Sequence, residues 1–404
     1  MKNSECYMLA FRGSRVFACY CPPSGEVYLL TPEEGEPVAY WTNGREMKVG
    51  SLPYPNLYGC HAQMLRYGFQ RCQDVPSWNE EKQLNSYLRS WCACLLARAE
   101  SAGFPEPEAW GIVCPPEWHG IHAMDIELHF SAAGFYRPVC LSELSLALEH
   151  AGKAQEDMYS LMVNVTPFYV YAQLYRGRTL EQGTAMPLGG EIVNLMLSIA
   201  VLNDARSLQM LHQDPELSLP LAGLLAHKIK QDERFRGWLA AMGGLLNESY
   251  TYAVEKKGLC QDSFMIECQG DSEMGDFALL AHRELVTSVL SECSIRDVLG
   301  AELFHSLPLV QQELISDFSW SKMFLHYLET VLNKAKLINK GKLIVVIPGC
   351  SCQVYESRRL LQQMIGVDPT QLSLYELCVS VCGQVRRKTP SDFRVLDTYW
   401  KIMN

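Results

Sequence analysis

The residues best suited to phosphate binding lie in a turn before a long apolar segment. Leu188-Gly189-Gly190-Glu191 precedes an apolar run over 192–202, whose length and spacing predict a buried helix. Backbone N–H groups at a glycine turn that opens a helix can hold phosphate oxygens. The same two glycines equally fit a close-packed turn that the fold needs without a ligand. The preceding turn, Thr166-Pro167, contains no glycine. The segment therefore has the strand–turn–helix order of a nucleotide site but lacks one of the two glycine turns that would bind phosphate.

Cysteine is the second residue type that could do chemistry, and the chain of 404 residues contains 16 of them. Three pairs recur with one residue between the cysteines: Cys19 and Cys21, Cys92 and Cys94, Cys350 and Cys352. Zinc sites normally use CxxC-type spacing, and Cys92 and Cys94 would point to different sides of a helix. We therefore predict that these pairs are small buried apolar side chains. Reduced thiols are the favoured state, and some disulfides are the alternative that the sequence leaves open.

A third candidate is a polar face on a helix predicted over 117–133. His119, His122, Asp125 and His129 fall on one side of that helix. Imidazole and carboxylate groups are zinc ligands, so one interpretation is a metal-binding face. The sequence favours the other interpretation, in which this is the polar outer face of a helix that connects two strands.

Composition bounds the class of protein. The net charge of −10 argues against a nucleic-acid binder, because such proteins need basic surface to face phosphates. The chain has no run of about 18 apolar residues, so we expect no membrane span. The N-terminus has an early acid, Glu5, and no long apolar core, so we expect no secretory signal. A cytoplasmic globular protein is the resulting expectation.

The chain is predicted to fold as two halves, and each half begins with a pair of strands. These elements would position the candidate residues. The apolar runs and turns predict these elements in the first half: strands 6–11 and 16–20, helix 84–103, strand 110–113, helix 117–133 and strand 136–140. Those of the second half are strands 161–165 and 168–175, helix 192–202, helix 276–300, strand 343–347 and helix 374–385. Strand–helix–strand order implies right-handed crossovers and largely parallel sheets. We predict a first domain over 1–153, a second over 154–389 with a helical subdomain at about 203–335, and a C-terminal tail over 390–404.

Six stretches carry a resemblance to a known family. They are 45–50, 111–115, 132–135, Leu188 to Glu191, 347–351 and 377–385. They resemble six segments of DnaK-type heat-shock chaperones. The first three resemble the xxxxVG strand, the VTVPA segment and the AGL turn. The last three resemble the LGGEDFD motif, the VGGST loop and the closing helix. Only the Leu-Gly-Gly-Glu stretch is specific alone, and the order of all six is the stronger signal.

The resemblance covers residues 5–389 and implies an actin-like ATPase fold. Two α/β domains, each with a mixed sheet, would flank a central cleft that holds ATP or ADP with Mg²⁺. The family's substrate-binding domain and lid are expected to be absent. The implied nucleotide contacts are Gly13, Ser14, Gly189, Gly190, Glu191, Gly349, Cys350 and Ser351.

The chain departs from the family where the family does its chemistry. Phe11 stands where the first phosphate loop has its Asp, and Asn164 stands where the second loop has its Asp. Pro167 replaces a glycine of the second loop, and the catalytic Lys position falls at Gln63. Of the family's acidic set only Glu143 is retained. One carboxylate does not hold Mg²⁺ in its usual shell, and phosphoryl transfer depends on positioned charge, so we predict no catalytic residues and no bound metal.

Three hypotheses about function follow. The first is a chaperone-like pseudo-ATPase that acts as an interaction or scaffold protein, without a cofactor and with protein partners that the sequence does not name. The second is a divergent chaperone ATPase that retains Mg-ATP binding through four residues: Gly189, Gly190, Gly349 and Glu143. The third is a nucleotide or other anion kept as a structural ligand, with Arg12 or Arg15 on its phosphates. For both arginines the sequence favours loop charges that face solvent.

Overall fold

The structure is a computed structural model that describes the chain in separate stretches. The described residues are 5–12, 15–33, 35–37, 39–43, 46–50, 63–64, 78–114, 123–143, 146–147, 159–165, 169–176, 179–204, 208–210, 243, 246, 263–269, 276–305, 307, 309–315, 317–334, 343–347, 355–366, 370–371 and 373–387.

These residues form the following strands and helices. The strands are β1 (Cys6–Arg12), β2 (Arg15–Cys21), β3 (Tyr28–Leu29), β4 (Glu36–Pro37), β5 (Ala39–Asn43), β6 (Glu46–Lys48), β7 (Gln63–Met64), β8 (Trp110–Cys114), β9 (Pro138–Ser142), β10 (Tyr159–Val165), β11 (Val170–Arg176), β12 (Thr179–Met186), β13 (Leu208–Met210), β14 (Ser263–Gln269), β15 (Asp276–His282), β16 (Leu343–Ile347) and β17 (Thr370–Gln371). The helices are α1 (Trp78–Ser101), α2 (Ala123–Ala132), α3 (Gly190–Asn203), α4 (Arg283–Ser291), α5 (Ile295–His305), α6 (Leu309–Leu314), α7 (Trp320–Lys334), α8 (Tyr355–Ile365) and α9 (Leu374–Arg387). None of these helices is long and apolar enough to cross a lipid bilayer.

The first sheet grows from the hairpin of β1 and β2. Its strand order is β3-β2-β1-β8-β9, and β8 and β9 add in parallel to β1. Every residue of β1 is buried, because both faces of the strand are covered. Tyr7, Leu9 and Phe11 face a core formed with α1 and α2. Met8 and Ala10 face the opposite core, which α9 covers.

The second sheet repeats this plan. Its order is β12-β11-β10-β16-β17, with an antiparallel hairpin of β10 and β11 and with β16 and β17 added in parallel. The strands predicted over 161–165 and 168–175 are confirmed as β10 and β11. The helix predicted over 192–202 is confirmed as α3. Both sheets therefore begin with a hairpin and continue through crossovers, as expected for a mixed α/β protein.

One predicted helix is wrong at its start. The segment predicted as a helix over 276–300 begins with the strand β15, which pairs along its whole length with β14. With β13 these strands form a three-stranded antiparallel sheet inside the region predicted as mostly helical. The run Phe277 to Ala281 is apolar on both faces, so its periodicity does not distinguish a strand from a buried helix.

The last helix packs on the first sheet. Gly111 in β8 makes this close approach possible, because a Cβ atom built on it would lie 2.3 Å from Cγ1 of Val381 in α9. Val381 and Leu377 are fully buried against this face of the sheet. The chain thus returns from the second sheet to cover the first.

Candidate functional site

The candidate site lies at the edge of the first sheet where its parallel strands end. Arg12 is the last residue of β1, and Glu143 follows β9 directly. Because β1, β8 and β9 run parallel, their carboxyl ends meet at this edge, where open α/β sheets bind ligands. Nε of Arg12 donates a hydrogen bond of 2.8 Å to Oε1 of Glu143. The two side chains are 1% and 0% exposed, so this is a fully buried ion pair.

The ion pair shows that Arg12 does not face solvent and that Glu143 has a cationic partner within the protein. The prediction that Arg12 is a loop charge facing solvent is wrong, because its side chain is buried on Glu143. Glu143 is the one acidic residue that the family resemblance retains, and the arginine neutralises it. Among the described residues Nη2 of Arg12 and Oε2 of Glu143 make no hydrogen bond. Arg15 pairs with Arg12 through the backbone of the hairpin, and its side chain lies outside the description.

The two positions that the resemblance would align with the family's aspartates are buried. Phe11 belongs to the apolar core on the α2 side of the first sheet, and its ring centroid lies 6.3 Å from that of Phe130. An aspartate at this position would lie in an apolar environment. Asn164 is completely buried near the end of β10, opposite Tyr171 of β11. Neither position places a carboxylate at the strand ends.

The glycine turn before α3 is packed against protein. Gly189 and Gly190 are both buried. Nε1 of Trp320, a fully buried side chain of α7, donates a 3.2 Å hydrogen bond to the carbonyl of Leu188. The backbone N–H of Ile192 donates to the carbonyl of Gly189 at 3.2 Å. These contacts favour the interpretation of this segment as a close-packed turn.

Several predicted nucleotide contacts fall outside the described residues. They are Gly13, Ser14, Gly349, Cys350 and Ser351, and with them Cys352. Gly13 and Ser14 separate Arg12 from Arg15, which pair across the hairpin. Glu191 lies in the first turn of α3, and the position of its side chain is not described. Gln63, at the expected position of the catalytic Lys, lies in β7 opposite Tyr40.

The predicted polar helix face has an ordinary structural role where it is described. Asp125 is exposed. His129 is half-buried, and its Nδ1 lies 3.1 Å from Oδ1 of Asn85 in α1, within hydrogen-bond distance. His119 and His122 lie outside the described residues. The exposed Asp125 fits the predicted polar outer face, whereas His129 contacts the neighbouring helix α1.

A cluster of buried cysteines lies beneath the last helix, and sequence reasoning missed it. Cys19 and Cys378 are joined as a disulfide between β2 and α9, so the prediction of reduced thiols is wrong for Cys19. The Sγ atoms of Cys21, Cys378 and Cys382 lie within 4.8 Å of one another. The pairs Cys19/Cys21 and Cys92/Cys94 had drawn attention through their i, i+2 spacing. The available signal for the cluster was the i, i+4 spacing of Cys378 and Cys382, which places both on one face of a helix.

Comparison with models of known protein families gives no match to this chain, and comparison with curated proteins gives none either. The resemblance to DnaK-type chaperones therefore stays a prediction. The case for a function depends on the geometry at the strand ends and on the buried charges there.

Proposed function

We propose that this protein is a chaperone-like pseudo-ATPase, an interaction or scaffold protein on an actin-like framework that does not hydrolyse ATP. The observation that carries the proposal is the buried ion pair of Arg12 and Glu143. In this pair Arg12 binds Glu143, the one carboxylate retained from the set that binds metal in the family.

The framework part of the proposal is supported by the strand order. Two sheets each begin with an antiparallel hairpin and add two parallel strands on the side of the first strand. This duplication is the plan that the resemblance implies for an actin-like protein. The closing helix α9 packs on the first sheet, which ties the end of the chain to its beginning.

The loss of turnover is supported by the charges at the strand ends. Mg²⁺ binds through carboxylate oxygens, phosphate oxygens and several waters, and it demands nearly octahedral geometry. Glu143 has no exposed surface for such a shell, and its Oε1 accepts the hydrogen bond from Arg12. A guanidinium fixed to the same carboxylate supplies the positive charge that the metal would otherwise bring. The carboxylate therefore needs no metal ion to be neutralised.

The apolar surroundings of the first hairpin support the same conclusion. Phe11 fills a position that would hold a metal-ordering carboxylate in the family, and it packs on the core of the first sheet. Phosphoryl transfer depends almost entirely on positioning and charge stabilisation. Here the carboxylate of Glu143 is paired with Arg12, and the phenyl ring of Phe11 replaces a second carboxylate. The described strand ends therefore offer neither the positioning nor the charge stabilisation that this reaction needs.

The test is isothermal titration of the purified chain with ATP and with ADP, each with and without Mg²⁺. At a protein concentration of about 100 μM, which detects weak sites, the proposal expects no magnesium-dependent binding. Micromolar binding that requires Mg²⁺ would overturn it and favour the divergent ATPase. Binding that is independent of Mg²⁺ would also overturn the ligand-free scaffold and favour an anion held as a structural ligand.

A further inference from the structure

Five cysteines from distant parts of the chain meet on one face of the first sheet. They are Cys6 in β1, Cys19 and Cys21 in β2, and Cys378 and Cys382 in α9. All five are buried in the same core and are at most 1% exposed. No other group of three or more histidine, cysteine or acidic side chains within the described residues brings its ligand atoms so close.

The backbone explains why these sulfur atoms converge. Cys19 and Cys21 are two positions apart on a strand, so they point to the same face of the sheet. Cys6 is the cross-strand partner of Cys21, which places it on that face as well. Cys378 and Cys382 are one turn apart on α9 and point down onto the sheet. The i, i+2 spacing that separates two side chains on a helix thus places them on one face of a strand.

The distances suit a shared cation. In a tetrahedral zinc site the metal–sulfur distance is about 2.3 Å, which places neighbouring sulfur atoms roughly 3.8 Å apart. The sulfur atoms of Cys21, Cys378 and Cys382 lie within 4.8 Å of one another. Cys6 is the cross-strand partner of Cys21 and lies in the same buried core, so it is the candidate for a fourth ligand.

The disulfide between Cys19 and Cys378 has a wide backbone separation. Its Cα atoms are 7.2 Å apart, whereas most disulfides have a Cα separation of about 4.4 to 6.8 Å. The backbone separation of this pair is therefore wider than disulfides prefer. Once the bridge is reduced, the sulfur atom of Cys378 is available to the cluster that it forms with Cys21 and Cys382.

We propose that the reduced cluster is a structural site for one Zn²⁺, held by Cys21, Cys378 and Cys382 with Cys6 as the fourth ligand. The site fixes the last helix onto the first hairpin. Opening the Cys19–Cys378 disulfide takes two electrons and two protons, which a cellular dithiol supplies as it is oxidised to its own disulfide. Zinc binding then displaces the thiol protons and changes no oxidation state.

The chemistry of the thiol groups agrees with this role. A bound Zn²⁺ deprotonates its cysteine ligands and compensates their charge inside the core. The inference does not depend on the pseudo-ATPase proposal.

The experiment measures metal in the untagged full-length chain, purified under reducing conditions and passed through a desalting column. Elemental analysis by mass spectrometry is expected to find about one zinc per chain. Replacement by Co²⁺ is expected to give the thiolate-to-cobalt charge-transfer absorption of a tetrahedral sulfur site. The double variant Cys378→Ser/Cys382→Ser is expected to lose the metal. The control Cys92→Ser, a buried cysteine of the other core, is expected to retain it.

The outcome that would overturn the proposal is a reduced wild-type chain with no zinc and no cobalt absorption. A double serine variant that keeps its zinc would overturn the ligand assignment. Circular dichroism separates metal loss from misfolding. If the double variant does not fold, the single variant Cys6→Ser is used, with a weaker zinc affinity expected by competition with a chromogenic chelator. An unchanged affinity in Cys6→Ser would exclude Cys6 as the fourth ligand and overturn the set as proposed.

Discussion

Arg12 and Glu143 are separated by 131 positions in the sequence and form a buried ion pair at the end of two parallel strands. A buried pair is costly to break, because the remaining charge is left in the core without its partner. The same pair contributes little net stability against well-packed apolar residues, since both charges lose their hydration on folding. These two properties lead to opposite expectations for single and double variants.

Glu143→Gln is expected to lower the free energy of unfolding by roughly 3 to 5 kcal/mol, because it leaves the Arg12 guanidinium uncompensated. The double variant Arg12→Met/Glu143→Leu is expected to recover most of this loss. Urea denaturation followed by circular dichroism measures both. If the double variant is at least as unstable as Glu143→Gln, the two side chains do not act as a pair.

The matched control for this cycle is an exposed ion pair. Nη1 of Arg296 lies 2.9 Å from Oδ1 of Asp317, and both side chains are largely exposed. Solvent screens such a pair, and its contribution is typically about 0 to 1 kcal/mol. Asp317→Asn is therefore expected to change the stability far less than Glu143→Gln does.

The packing of α9 on the first sheet leads to a second prediction. In Gly111→Ala the new Cβ atom would lie 2.3 Å from Cγ1 of Val381, so the helix must move or the side chain must change rotamer. We expect a destabilisation of about 1 to 3 kcal/mol, as for other overpacked cores. Val381→Ala in the same chain removes the clashing methyl groups and is expected to restore part of the loss. A thermal unfolding cycle of the two single variants and the double variant measures this coupling.

Gly383 is the control for that cycle. It lies in the same helix, and a Cβ atom built on it meets no atom within 4 Å. Gly383→Ala is expected to be neutral or to stabilise the helix by up to about 1 kcal/mol, because alanine has the higher helix propensity. If Gly111→Ala is equally harmless, α9 does not pack on β8 as described.

The sequence predicts the elements with strong local patterns. Val163 and Val165 lie in a β-rich run bounded by turn residues, and the apolar run after Gly190 is too long for a strand. Both predictions are confirmed, as strand β10 and helix α3. The strand β12 was not predicted, since its residues Thr179 to Met186 are mainly polar or small and occupy the edge of the sheet. Its strand conformation depends on pairing with β11.

The candidate site was predicted less well, because its members are distant in sequence. The burial of Arg12 depends on Glu143, and nothing near Arg12 in the sequence indicates a partner 131 residues away. The cysteine cluster requires that α9 return to the first sheet, which brings Cys378 beside Cys19 across 359 positions. Local patterns describe elements, whereas these contacts depend on how the elements pack.

Tyr327 supports a third prediction, because its hydroxyl joins α7 to two strands of the second sheet. The hydroxyl accepts a hydrogen bond of 3.1 Å from the backbone N–H of Ala172 in β11. It donates to the backbone carbonyl of Thr184 in β12. Tyr327→Phe leaves the N–H of Ala172 without this acceptor, and we expect a loss of about 1 to 3 kcal/mol by chemical denaturation. Tyr375→Phe, at an exposed position of α9, is the control and is expected to have no measurable effect.

The same hydroxyl gives the protein a specific response to alkaline pH. Burial raises the pKa of Tyr327 from 10.0 to about 12. Between these values the unfolded chain has lost the phenol proton while the folded chain still holds it, so stability falls as the pH rises. The stability contributed by this proton is fully present below pH 10 and decreases by about 3 kcal/mol as the pH approaches 12.

The measurement for this last prediction is the free energy of unfolding from pH 8 to pH 12, in the wild-type chain and in Tyr327→Phe. Tyr7, whose pKa burial also raises to about 12, still titrates in both proteins, so both lose stability in this range. The phenylalanine variant lacks one of the groups and is expected to show the shallower decline. The difference between the two curves should therefore shrink as the pH rises above 10. Parallel curves would show that the Tyr327 hydroxyl titrates alike in the folded and unfolded chain, and would contradict its burial between α7 and the second sheet.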